Sequence, residues 1–168
     1  YKGQFDMGWD AARENTLARQ KELGLVPPDT ELTPRPVDIK AWTELADQER
    51  AAAAALMEVY AAFAEHTDYY AGLFLDELQS LDVLDNTLVF YIAGDNGASA
   101  EGTMVGTFNE MLALNGVSDT PANILDHIAQ LGSIATYNHY PIGWANAMNC
   151  PFQWTKQVAS HWGGTRSG

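Results

Sequence analysis

The chain has 168 residues, 9 basic against 22 acidic side chains, and a formal net charge of −13 with 46% hydrophobic residues. That length holds one domain or part of one, and the apolar share can fill a core. The acidic balance, a sequence pI near 4.4 and the lack of any basic stripe argue against a nucleic-acid partner and against docking on an anionic membrane. No apolar run reaches the ~20 residues of a transmembrane helix, and a single cysteine, Cys150, excludes an internal disulfide framework and a multi-cysteine zinc site. The compartment stays open: cytoplasmic and periplasmic locations both fit. The chain opens on Tyr1 without a signal-peptide pattern and closes on a glycine-rich run from Gly163 to Gly168, which leads us to expect a fragment incomplete at both ends.

In chain order, residues 1–24 read as a lead-in and a helix, with Trp9, Ala12, Leu17 and Leu23 near helical spacing and Gly24 as its stop. Residues 26–36 hold four prolines, each removing a backbone donor and biasing its predecessor away from helix, so this stretch is an extended connector. The longest element is a helix from Asp47, its expected N-cap, to about Leu81. Leu56, Tyr60, Phe63, Tyr70, Phe74, Leu78 and Leu81 share one broad face. Gly72 interrupts it, and close backbone packing against a sheet is the expected compensation. Asp85-Asn86 then signals a turn, and residues 88–92 (Leu-Val-Phe-Tyr-Ile) form a continuous apolar run, as in a strand buried on both faces of a parallel sheet. Helix then buried strand is half of a βαβ unit, so α/β is the expected class. Beyond Gly102 a short helix is expected near residues 124–131, started by Asp119-Thr120-Pro121. Residues 132–168 read as a long, ordered, aromatic loop region.

Asp95-Asn96-Gly97 follows the apolar run directly. A carboxylate and an amide at a strand end supply two hard oxygen donors, suited to Ca²⁺ or Mg²⁺. The same tripeptide is also ordinary turn chemistry. Lys156 is the only lysine after Lys40 and lies among aromatic residues; it is a candidate anion contact, or a snorkelling surface lysine. His161 could serve as a general acid, a ligand or a packed ring. His66 and Asp68 share no helical face and read as structural, His127 as solvated, and His139 as a slightly better site candidate in the loop region. Tyr137, Tyr140, Trp144, Phe152, Trp154 and Trp162 line a pocket or simply pack.

Taken together, Ile92-Ala93-Gly94-Asp95-Asn96-Gly97 after a helix and an apolar strand, then Lys156 and Gly163-Gly164-Thr165-Arg166, resemble the central part of a sulfatase of the arylsulfatase type, in the alkaline-phosphatase-like superfamily. Residues 1–10 with Arg13 resemble the segment that follows that family's substrate-side histidine. The resemblance covers essentially the whole chain. It implies an α/β alkaline-phosphatase-like fold, with residues 1–46 as helix and connector, 47–101 as long helix, strand and metal loop, and 102–168 as a substrate-side region. It also implies hydrolysis of a sulfate ester, on a small molecule or a sulfated glycan. Asp95 and Asn96 would hold a divalent cation, usually Ca²⁺. Lys156 would contact the sulfate and His161 would belong to the catalytic group.

The nucleophile implied is a formylglycine made from Cys or Ser in an upstream segment. No Cys/Ser-x-Pro-x-Arg motif is present, and Cys150, directly before Pro151, has the wrong spacing to be that precursor. The first pair of metal aspartates is absent too, and His161-Trp162 stands where an acidic residue usually precedes the glycine pair. The chain alone is therefore expected not to turn over sulfate esters. A phosphonate monoester hydrolase or phosphodiesterase of the same superfamily is the nearest alternative, and a non-enzymatic binding domain a more distant one.

Overall fold

The computed structural model describes residues 1–166; Ser167 and Gly168, the end of the glycine-rich run, lie outside the described residues. The structure is helical. Among the described residues there are six α-helices: α1 (Gly8–Glu22), α2 (Asp47–Ser80), α3 (Glu110–Leu114), α4 (Pro121–Asp126), α5 (Ile142–Met148) and α6 (Trp162–Thr165), with short 3₁₀ turns between some of them. No strand or sheet forms among the described residues. Two isolated bridges, Thr107 with His139 and Asn109 with Tyr137, are the whole of its β pairing there.

The expected α/β architecture with a parallel-type strand is therefore corrected. Residues 88–93 are not a strand and not a core: Leu88 is 81%, Phe90 76% and Ile92 77% exposed. An apolar, β-branched run states what a segment could bury. It does not supply the neighbouring ladders that a doubly covered strand requires, and no described segment pairs with this one.

The core sits where the first half of α2 meets α1, α4 and α5. Helix α2 packs on α4, and α1 on α5. Residues 52–57 of α2 are buried, joined by Trp9, Ile39, Trp42, Ile124, Tyr140, Trp144 and Ala145. Small alanines let α2 approach closely, and three indoles fill the space beyond. Trp9 lies 4.9 Å from Trp42 and 5.9 Å from Trp144, both edge-on, and Trp42 lies 5.7 Å from Trp144. Edge-on contacts match the positive ring rim to the negative face. The indole nitrogens are satisfied, Trp9 Nε1 on Lys40 O at 3.2 Å and Trp144 Nε1 on Ala53 O at 3.0 Å.

The proline-rich connector is tied down near its C-terminal end. Arg35 Nε pairs with Asp10 Oδ1 at 2.9 Å, while Asp10 Oδ2 accepts from the Trp42 amide at 2.8 Å. Buried Arg13 donates from Nη2 to Thr33 O and Thr33 Oγ1 at 3.0 and 3.1 Å. Desolvation pushes the Arg13 guanidinium below its usual range.

Helix α2 ends within a residue of expectation, but its cap is shifted by one. Ala46 is the N-cap, and its amide donates to Glu49 Oε2 at 2.7 Å; that bond holds the Glu49 carboxyl below its ordinary range. The expected single apolar face is covered only over its first turns. From residue 60 onward Phe63, Tyr69, Tyr70, Leu73 and Phe74 are exposed. A Cβ added at Gly72 would meet nothing within 4 Å, so the expected sheet packing against it is absent too. Gly72→Ala should therefore stabilise the protein by about 0.5–1 kcal/mol, because alanine restricts the unfolded chain and meets no obstacle in the helix. A urea titration giving an unchanged or lower midpoint would show that this position is covered.

The start of α4 matches expectation: Thr120 caps it, Oγ1 accepting from Asn123 N at 3.2 Å, with Pro121 in the first turn. The region 132–168 is less irregular than expected, since α5 and α6 lie within it. Helix α5 was concealed by its composition: all-buried from Gly143 to Ala147, it has no polar face to create a period. Gly143 is required there, because a Cβ would lie 2.6 Å from Trp9 Cε3.

Candidate active-site loop

Asp95 and Asn96 are both exposed, and Asn96 Nδ2 donates to Asp95 Oδ1 at 2.7 Å. The two side chains therefore share one small volume. Their remaining oxygens, Asp95 Oδ2 and Asn96 Oδ1, are hard donors of the kind that suits Ca²⁺ or Mg²⁺. The donor chemistry thus fits a hard cation.

The backbone immediately after them is fixed firmly. Gly97 is buried, and its amide donates to Gly164 O at 3.3 Å. Ala98 N donates to Asn149 Oδ1 at 2.8 Å, and Ala98 O accepts from Lys156 N at 2.9 Å. Asn149 Nδ2 in turn donates to Trp154 O at 2.9 Å. Glycine is needed at 97 because a Cβ would overlap the Gly163 carbonyl oxygen and lie 2.7 Å from its carbon. Three stretches that are distant in sequence, 95–98, 149–156 and 163–164, thus meet as backbone.

Lys156 is brought beside this loop through its main chain. Its ammonium lies 3.6 Å from Glu101 Oε1, with both side chains partly exposed. Glu101 also accepts from Ser99 Oγ at 2.6 Å, and this hydrogen bond, assisted by the charge of Lys156, holds its carboxyl below the usual carboxylate range. His161 sits at the N-cap of α6, its Nδ1 2.8 Å from Ser160 Oγ and its ring 5.8 Å from Trp154.

The other candidates divide. His66 is exposed, stacked on Phe63 and tilted against Tyr70, while His127 Nδ1 contacts Asn123 O at 2.8 Å. Of the aromatic group, Tyr140 and Trp144 are core residues. Phe152 and Trp162 meet edge-on at 5.5 Å, with the Arg166 guanidinium over both rings. Cys150 is buried, Sγ donating to Arg13 O at 3.3 Å, and burial pushes its thiol up; a thiol so placed is inert.

Asn149 and Glu101 were missed in the sequence. Asn149 directly precedes Cys150-Pro151, and no local pattern marks it. The signal for Glu101 was the Gly102 after it, since a Cβ at 102 would overlap Tyr140 O.

Comparison with known proteins identifies the family of this chain. The sulfatase family model matches residues 1–168, and this chain belongs to the sulfatase family. It is 34% identical over 160 residues to an uncharacterized sulfatase of Schizosaccharomyces pombe, covering 93% of this chain and 27% of that protein. It is 29% identical over 165 residues to an arylsulfatase of Klebsiella aerogenes, covering 98% of this chain and 33% of that protein. The chain thus spans about a third or less of the length of these relatives.

Proposed function

We propose that this chain is the part of an arylsulfatase-like sulfuric ester hydrolase that supplies two ligands of a divalent-cation site, Asp95 and Asn96, together with a sulfate-contacting lysine, Lys156. The cation is a hard one, Ca²⁺ by preference, and it supplies the positive charge that lets a protein of net −13 hold a sulfate ester. Lys156 adds a compact cationic contact to the same anion, and His161 stands as the candidate leaving-group acid. The substrate is a sulfated small molecule or glycan, and the nucleophile is a formylglycine outside these 168 residues.

Beyond family membership, one observation carries the reading. The loop after Asp95-Asn96 shares backbone hydrogen bonds with both Gly164 and Lys156, so the proposed ligands and the proposed sulfate contact are fixed to one another by main chain.

The test has two arms. The 168-residue chain with added Ca²⁺ is expected to give no turnover of an aryl sulfate above buffer, because nucleophile and metal ligands act as a unit. Ca²⁺-dependent turnover lost in Asp95→Ala would show instead that the chain carries a complete site. In a protein that also carries the nucleophile segment, Asp95→Ala is expected to abolish aryl sulfate hydrolysis while the helical circular dichroism is kept; undiminished turnover would overturn the metal assignment. An aryl phosphonate run in parallel separates the two ester classes.

A further inference from the structure

We propose that Glu101, Glu110 and His139 form a second cation site, separate from Asp95 and Asn96, that takes a borderline divalent ion of the Zn²⁺ class. The proposal does not rest on the reading of the loop at 95–98. One ligand atom from each of the three lies within 4.8 Å of those of the other two, and all three residues are half-buried. Two carboxylates and an imidazole form a three-ligand set that leaves a position open, which is how catalytic and exchangeable zinc is held. The Asp95-Asn96 pair, oxygen only, suits a harder ion.

The backbone explains why three residues from separate segments converge. Thr107 and His139 exchange amide bonds at 2.9 Å in each direction, and Glu110 N donates to Tyr137 O at 2.8 Å. These bonds lay the segment carrying Glu110 alongside the one carrying His139. Glu101 arrives through Gly102, where a Cβ would lie 2.6 Å from His139 Nδ1. Only glycine allows that approach.

Two of the three also have an outer partner. His139 Nδ1 lies 2.8 Å from Tyr140 O; a proton on Nδ1 given to that carbonyl leaves Nε2 with its lone pair, the tautomer that ligates metals. Glu101 Oε2 accepts from Ser99 Oγ at 2.6 Å. Such partners orient ligands and set their basicity. The site opens on a cavity of about 780 Å³, lined by Glu110, His139, Tyr60, Phe63, His66 and Tyr137 among others. An ion there would face a mostly apolar hollow with room for a ligand of its own. Lys156, 3.6 Å from Glu101 Oε1, competes with the ion for that carboxylate.

The experiment is calorimetric titration of the metal-stripped 168-residue chain with Zn²⁺, repeated with Co²⁺ to follow visible absorption. One equivalent is expected to bind. His139→Ala and Glu110→Gln should each weaken binding at least tenfold, Lys156→Met should tighten it several-fold, and Asp95→Ala should leave it unchanged. Glu110→Gln keeps the side-chain shape, so its effect stands even where His139→Ala perturbs the fold, which circular dichroism reports. Absence of saturable binding, equal affinity in Glu110→Gln and the parent chain, or loss in Asp95→Ala would each overturn the proposal.

Discussion

Trp144→Ala is expected to lower the unfolding free energy by about 3–5 kcal/mol, the range for deleting a large aromatic side chain from a packed core. Trp144 is 1% exposed and makes three aromatic contacts in the core. It meets Trp9 and Trp42, and Phe5 edge-on at 5.4 Å, and it joins α5 to α2 through Ala53 O. A cavity between four elements collapses poorly, because helices cannot close on it independently. Since single domains hold about 5–15 kcal/mol in all, the variant should be marginally folded. Trp144→Phe keeps a ring and loses the donor, so it should cost less. The control is Phe74→Ala on the far half of α2, 61% exposed, expected to change stability by no more than about 0.5 kcal/mol. Urea midpoints at constant slope check all three. Equal losses at 74 and 144 would show that the second half of α2 is packed as tightly as the first.

What could be seen in the sequence was what local chemistry decides. The α2 boundaries, the proline connector and the start of α4 each depend on residues within a turn of one another: Glu49 on Ala46, Thr120 on Asn123. The apolar run at 88–92 failed for the opposite reason, because burial is a property of neighbours and none is named by the run itself. Helix α5 failed because a helix buried all round carries no period. The candidate site shows the same division. Asp95-Asn96-Gly97 stood out as a tripeptide, whereas Glu101, Glu110 and His139 are 38 residues apart end to end and no local pattern unites them. Gly97 and Gly163-Gly164 were noticed separately, as turn residues and as a run; that they face each other is a tertiary fact.

That facing pair makes Gly97→Ala the other substitution of large effect. The added methyl would overlap the carbonyl oxygen of Gly163 and lie 3.1 Å from Asn149 Oδ1. The obstacle is main chain, so no rotamer change relieves it. Gly163 cannot retreat either, because on its own Cβ side it is pressed against the carbonyls of Gln153 and Trp154, with the Gln153 carbonyl carbon 2.6 Å from where a Cβ would stand. The loop at 95–98 is what must move. Movement breaks three hydrogen bonds: Gly97 N to Gly164 O, Ala98 N to Asn149 Oδ1, and Lys156 N to Ala98 O. At about 0.5–1.5 kcal/mol each, with part of Asn149 left buried and unpaired, the loss is about 2–4 kcal/mol. The same three bonds hold Asp95 and Asn96 in register with Lys156, so the residues proposed to bind cation and sulfate would be displaced from one another. Gly24→Ala is the contrast: it has open space but φ +70°, so it should cost only about 1–2 kcal/mol of left-handed strain. Amide hydrogen exchange at Ala98 and Lys156 separates the two variants. Both amides should lose protection in Gly97→Ala and keep it in Gly24→Ala. Retained protection with an unshifted urea midpoint in Gly97→Ala would mean that the 95–98 loop and Gly163 do not meet as described.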